Sequence, residues 1–312
     1  SRVALRLHVP DWLPAFVNAG RAFVTIGAVA VFWIVTEWPN GAFAITFAAN
    51  GTILLAPRAD QAYAAAMSLM VATALGTAFA AIIKFAVLPG SETFAAFALA
   101  IGLLLVPAGA GSAQPWQTAV FFLMVVNFVP LLAPANQMSY DTVQFYNQAS
   151  AIVAGTVAAA ISFRLLPPLS PAFRTRRLLA LALSDLRRVA TGPIPRTTED
   201  WEGRMFARLA VLPNLPDTLP GARLVAARLV GTEIIELCRT APGLGLGADL
   251  DTALEALARG DEEATTTRLA RLDRLLASHP AGPVALRVRG RVLAISEAIT
   301  QHASYFLAGV SR

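Results

Sequence analysis

The sequence predicts an all-α protein in two parts, a six-helix transmembrane bundle followed by a cytoplasmic helical bundle. Three observations point there. The 312 residues are 56% hydrophobic and only 14% charged, against about 25% charged in an average soluble protein. The charge is uneven: residues 1–168 hold 6 of the 25 Lys+Arg and 5 of the 20 Asp+Glu, leaving 19 and 15 for residues 169–312. Long apolar runs fill the first part, while amphipathic 3.6-residue periodicity fills the second and period-two alternation is never sustained. The expected division is a cytoplasmic lead at 1–14, a membrane domain at 15–168 and a cytoplasmic helical domain at 169–312.

The first apolar run, Ala15 to Thr36, is interrupted only by Asn18 and Arg21 and stops at Glu37-Trp38-Pro39-Asn40-Gly41. Pro and Gly end the helix where a tryptophan sits well at the membrane interface. Ala42 to Ala56 is short for ~30 Å of hydrocarbon and carries Asn50-Gly51 in its middle. Ala62 to Leu88 is long, with Lys84 near its far end; Thr93 to Val106 follows Gly90-Ser91-Glu92. An uncharged, glycine-rich loop from Ala108 to Gln114 leads to Trp116–Ala133, bent near Pro130, and the sixth run spans Val143 to Leu166. From Pro171 onward the pattern changes to ordinary amphipathic helices over Arg176–Val189, Ala222–Arg239, Leu250–Ala258, Ala264–Ala277 and Val284–Leu307. Their joints are Pro-rich, at Gly192–Pro195, Pro213–Pro220 and His279–Pro283.

Short loops rich in Lys and Arg stay in the cytoplasm. Arg2, Arg6, Arg58, Arg164, Arg174, Arg176 and Arg177 fall on one side of six spans, and residues 37–41, 89–92 and 134–142 on the other contain no basic residue. Both termini are therefore expected in the cytoplasm.

Several function classes drop out. The net charge of +5 comes from arginines interleaved with acids, not from an uncompensated basic run, so no nucleic-acid surface is expected. A phosphate loop of the GxxxxGK[ST] type needs a lysine, and the one lysine, Lys84, sits inside an apolar run. Gly243, Gly245 and Gly247 read as a joint and helix start. His8, His279 and His302 are far apart in sequence and form no metal-binding pair, no GxSxG elbow occurs, and Cys238, being alone, has no disulfide partner in the chain. No enzyme and no cofactor are expected.

Polar groups at membrane depth are costly and usually face a cavity or partner. Ala64, Ser68, Ala72, Gly76 and Ala80 repeat every four residues, a small-residue ridge along which another helix approaches closely, and Lys84 is its next member. Lys84 either points into a helix interface or snorkels to the headgroups. Arg21, one or two turns inside the first run, either snorkels or lines an inner vestibule for anions. Glu37 and Asp141 fall at the opposite rim, as solvated acids or proton carriers. Asn50-Gly51, and Asn127 with Pro130, are expected to interrupt their helices and free backbone groups, with tight helix packing as the competing reading. Gln144, Asn147, Gln148 and Ala151 share one face of the sixth run, beside Tyr140, Phe145 and Tyr146.

FWIVTEWPNGAFAITFAANG, with the following LLAPRADQAYAAAMSLMVATALGTAFAA, resembles the second membrane half of the fusaric acid resistance family, also called aromatic acid exporters. The similarity runs through the six spans into the arginine-rich tail; the WPxG turn at Trp38–Gly41 and the PRAD exit of the second span carry it. The resemblance implies a bacterial inner-membrane protein, commonly built as two such halves. It implies a periplasmic adaptor and an outer-membrane channel as partners, and expulsion of aromatic carboxylic acids on the proton gradient. Against that pattern this chain is one half, so the N-terminal membrane half or a second copy is the expected further partner. The expected function is a permease subunit exporting small anionic aromatic compounds such as fusaric-acid-like or hydroxybenzoate-like acids. Its pathway residues are Arg21, Glu37, Asn50, Lys84, Asn127, Asp141, Gln144, Asn147 and Gln148. A passive anion channel and a membrane-anchored scaffold with a protein-binding bundle stay open as alternatives.

Overall fold

A computed structural model describes residues 9–56, 62–91, 93–114, 118–135, 138–193, 197–213, 216–278 and 282–307. Among these residues all regular structure is helical. The chain divides into two compact units, one of them Leu13–Leu169.

This apolar unit contains α1 (Leu13–Thr36), α2 (Gly41–Leu55), α3 (Ala62–Ile82), α4 (Phe94–Ser112), α5 (Thr118–Leu132) and α6 (Thr142–Leu165). Four segments, Leu13–Thr36, Ala64–Gly90, Phe94–Ser112 and Thr142–Leu165, are long and apolar enough to cross a membrane, whereas Gly41–Leu55 and Val120–Leu132 are shorter apolar helices. At 1.5 Å per residue the 15-residue α2 reaches only about 22 Å. Two helix pairs pack most closely, α3 with α5 and α2 with α6, and α3 also touches α6. Both pairs approach backbone to backbone. A Cβ on Gly76 would stand 2.7 Å from the Met124 carbonyl oxygen, and one on Gly155 would collide with the Ala44 carbonyl.

Two sequence expectations fail here. The loop expected over Ala108–Gln114 is helical to Ser112: α4 runs straight through Pro107, buries Ala108 and sets Gly111 against the Phe121 ring. Proline is tolerated in such a helix because its neighbours cover the freed backbone. Nor does Asn50-Gly51 interrupt α2, or Asn127 with Pro130 interrupt α5, each helix being continuous through its pair. Gly51 serves close packing instead, since a Cβ there would lie 2.7 Å from the Ala159 Cβ, and Asn50 is exposed.

After Ile82 the chain passes through a π-helical turn, Ile83–Val87, and a 3₁₀ turn, Leu88–Gly90. The π turn carries Lys84. α1 and α5 are each followed by a non-glycine residue with positive φ, Glu37 at 49° and Ala133 at 45°. Asp141 caps α6, its Oδ1 accepting the Gln144 N–H at 3.1 Å.

The second unit contains α7 (Pro171–Thr191), α8 (Thr198–Ala210), α9 (Leu219–Thr240), α10 (Gly247–Arg259), α11 (Glu262–Ser278), α12 (Pro283–Gln301) and α13 (Ala303–Phe306). Its core joins Leu186, Trp201, Met205, Leu224, Val230, Leu254, Leu269, Val292 and Phe306. α8 was not among the expected helices, although Thr197, whose Oγ1 accepts the Asp200 N–H, caps it. The glycine series behaves as a joint: a 3₁₀ turn at Ala241–Leu244, Gly245 at φ 73°, then α10 from Gly247. Val284–Leu307 is broken at His302 into α12 and α13.

Candidate functional site

The apolar unit builds its polar features along α6. Phe145 and Phe163 stand eighteen residues apart on this helix, about five whole turns and ~27 Å, so they share a face. Thr156, eleven residues beyond Phe145, is within about 20° of that face. Each of the three marks a polar cluster.

At the Phe145 end the lysine of the small-residue ridge is buried, 6% exposed. Its Nζ donates to the carbonyl oxygens of Leu131 and Leu132 at 3.5 and 3.4 Å and lies 5.8 Å from the Phe145 ring centre. Gln148 Nε2 donates to the preceding carbonyl, of Pro130, at 3.1 Å. The last carbonyls of an α-helix have no intrahelical partner, and α5 ends in this unit's interior, so α3 and α6 each send a donor to them. A cation at that end also suits the helix dipole. Lys84 thus points into a helix interface, as the ridge predicts. The ridge itself rotates about 40° per four-residue step: Ala72, Gly76 and Ala80 are buried while Ala64 is exposed.

At mid-height Asn127, 2% exposed, donates from Nδ2 to Thr73 Oγ1 at 2.9 Å. Thr73 Oγ1 lies 3.5 Å from Thr156 Oγ1. Each hydroxyl sends its single proton to its own helix, Thr73 to Leu69 O and Thr156 to Ile152 O, both at 2.8 Å.

At the Phe163 end Arg21 is 2% exposed, its guanidinium 4.4 Å from the Phe163 ring centre. Nε donates to Leu166 O at 2.9 Å and Nη1 to Asn18 Oδ1 at 2.7 Å, while Nη2 is buried with no hydrogen-bond partner. Arg21 does not snorkel. Neither it nor Lys84 pairs with a carboxylate among the described residues.

The remaining predicted residues join none of these clusters. Glu37, Asn50, Asp141 and Gln144 are exposed, and Asn147 is half-buried. The stripe on α6 therefore turns inward as it descends, from exposed Gln144 through Gln148 to buried Ala151. Arg2, Arg6, His8, Arg58, Gln137 and His279 lie outside the described residues. Sequence reasoning missed Asn18, Thr73, Thr156 and Phe163. The last two were readable as the eleven- and eighteen-residue continuation of Phe145 around a helical wheel.

Two clefts open on the unit. One of about 490 Å³ runs between α1 and α6, from Phe32 to Leu166, and the other, of about 380 Å³, lies by Leu88, Phe97, Met138 and Tyr140.

Comparison with known proteins agrees with this architecture. The chain is 29% identical over 224 residues to a protein of Gluconobacter oxydans (strain 621H) described as an uncharacterized transporter. The match covers 71% of this chain and 30% of that relative, so the chain spans well under half its length. No solved structure matches the chain significantly. The model of the fusaric acid resistance protein family, however, matches residues 2–306. Multi-pass apolar helices and a match over nearly the whole length lead to one conclusion: the chain is a helical membrane protein and belongs to the fusaric acid resistance protein family.

Proposed function

We propose that the protein is a permease subunit of the bacterial inner membrane. It exports small anionic aromatic compounds, draws on the proton gradient, and works within an efflux assembly beside a second membrane half. The observation that carries this reading is the pair of buried, carboxylate-free cations at the two ends of one α6 face, with the uncharged Asn127–Thr73–Thr156 cluster between them. A buried charge is expensive unless compensated, and an anion moving along this face meets compensation at both ends. Glu37 and Asp141, exposed at the end of α1 and the start of α6, are where a proton exchanges with water. Family membership and the transporter relative support transport. In this reading α2 and α5 also cross, giving six spans with both termini cytoplasmic, so cysteines placed at Asn40 and Ser91 in a Cys238→Ser background react with an impermeant thiol reagent in intact cells.

The test is efflux of labelled 4-hydroxybenzoate from cells carrying the complete transporter, normalised to protein in the membrane. Efflux stops with a protonophore and falls in Arg21→Gln. Undiminished efflux in the Arg21→Gln, Lys84→Gln double variant overturns the reading, and efflux that ignores the protonophore replaces the pump with a passive anion channel.

A further inference from the structure

The cleft between α1 and α6 is walled by Ala28, Val29 and Phe32 on one side and Ala158, Ile161 and Leu165 on the other. Its two hydroxyls are already spent: Thr25 Oγ1 donates to Arg21 O at 2.8 Å and Ser162 Oγ to Ala159 O at 2.7 Å. The walls therefore offer an occupant mainly apolar contact, with the Trp38 indole among them as a further polar group. Phe32 and Ile161 on its rim are exposed, so it opens sideways from the bundle, where hydrocarbon lies. Its volume of about 490 Å³ falls in the ~300–1,000 Å³ range of small-molecule sites.

The unneutralised guanidinium of Arg21 is not itself on the wall but is held by residues that are. Leu166 lines the cleft and its carbonyl oxygen takes the Arg21 Nε proton; Thr25, also on the wall, is one turn above Arg21 on the same helix. Asn18 and Leu166 fix the guanidinium over Phe163 and occupy two of its nitrogens, leaving Nη2 without an acceptor. A buried donor left unmade is costly, and a charged one more so.

We propose that this cleft is a binding site for an amphiphilic organic monocarboxylate, its carboxylate on Arg21 and its aromatic or aliphatic body between α1 and α6, loaded sideways from the bilayer. The proposal takes its ligand class from the export reading and adds the place and the route. One spare nitrogen suits one carboxylate, and walls whose two hydroxyls are already bonded leave little for a sugar.

The full chain, in nanodiscs, is irradiated with 4-benzoylbenzoate and separately with its uncharged methyl ester, and the adducts are mapped by mass spectrometry. Both label the α1 and α6 segments bordering the cleft. Arg21→Gln lowers labelling by the acid about tenfold or more and leaves the ester unchanged, Arg21→Lys keeps the preference for the acid, and Ala158→Phe, which fills the cleft, lowers both. Acid adducts elsewhere, or equal acid labelling in wild type and Arg21→Gln, overturn the site. If Arg21→Gln loses ester labelling too, its fold has changed and Arg21→Lys decides: loss of the acid preference there overturns the proposal. Export by wild-type cells without cleft labelling defeats this site alone, whereas cleft labelling without export upholds the site and defeats the export reading.

Discussion

Lys84 and Gln148, sixty-four residues apart in sequence, donate to successive carbonyls at the end of the same helix, α5. One comes from the π turn after α3 and the other from α6, so the ridge lysine has a structural duty whatever else it does. Lys84→Met removes the donors and keeps the stem, and is expected to cost about 1–3 kcal/mol, read as a lowered melting temperature in detergent. Lys84→Gln, which keeps a donor, costs less. Equal stability of Lys84→Met and wild type would show that the contact contributes nothing.

Asn127 and Thr73 form a buried side-chain pair between α5 and α3. A double-mutant cycle with Asn127→Leu and Thr73→Val is expected to give a coupling of about 0.6 kcal/mol, up to ~1.7, as for other interhelical bonds in membranes. Additive single effects would mean that the amide finds an equal partner elsewhere.

Gly155→Ala pushes a methyl group into the Ala44 backbone of α2, where nothing flexible can yield. A loss of about 1–3 kcal/mol or more is expected, seen as poor recovery of folded protein. Gly27→Ala, at a glycine with open space around its Cβ position, is the control.

In the second unit, burial pushes the Cys238 thiol up from its ordinary pKa, and the nearby Asp251 carboxylate adds to this. Alkylation of Cys238 is expected to need a higher pH than a free thiol needs. Asp251→Asn shifts the alkylation curve down but not back to the free-thiol position, because burial is the larger cause. An unmoved curve removes Asp251 from the account. Since the folded pKa exceeds the unfolded one, the thiol's contribution to stability is intact below the ordinary thiol pKa and is lost as the pH rises through the folded value.

The second unit has its own core, so residues 170–312 expressed alone are expected to give a helical circular dichroism spectrum with cooperative melting. A disordered spectrum would show that this core is insufficient.

Periodicity made Lys84 legible: a four-residue ridge of small side chains states which face is buried before any partner is known. Arg21 was legible as a charge in an apolar run, but not as buried, because its acceptors are a neighbour three residues back and a carbonyl 145 residues away. Asn127 could be singled out, yet its partner could not, since a threonine in an apolar helix commonly satisfies itself on its own backbone. Asn50-Gly51 misled for a related reason. In water that pair marks a turn, whereas here the missing side chain admits α6 and helix geometry persists. α8 escaped because it is short, yet Trp201 and Met205, four residues apart on one face, are both fully buried and anchor it.

The two glycine contacts also divide the membrane unit mechanically. With backbone against backbone at Gly76–Met124 and Gly155–Ala44, α3/α5 and α2/α6 are each braced at a point where no side chain intervenes. The seam between them passes Thr73 and Thr156, whose protons are already given to Leu69 and Ile152. At this level the pairs share the long 3.5 Å Thr73–Thr156 contact, and the amide of Asn127 stays within its own pair. The seam is fastened elsewhere, at the Gln148 donation from α6 to the Pro130 carbonyl of α5, which ties the two pairs together at the end of α5.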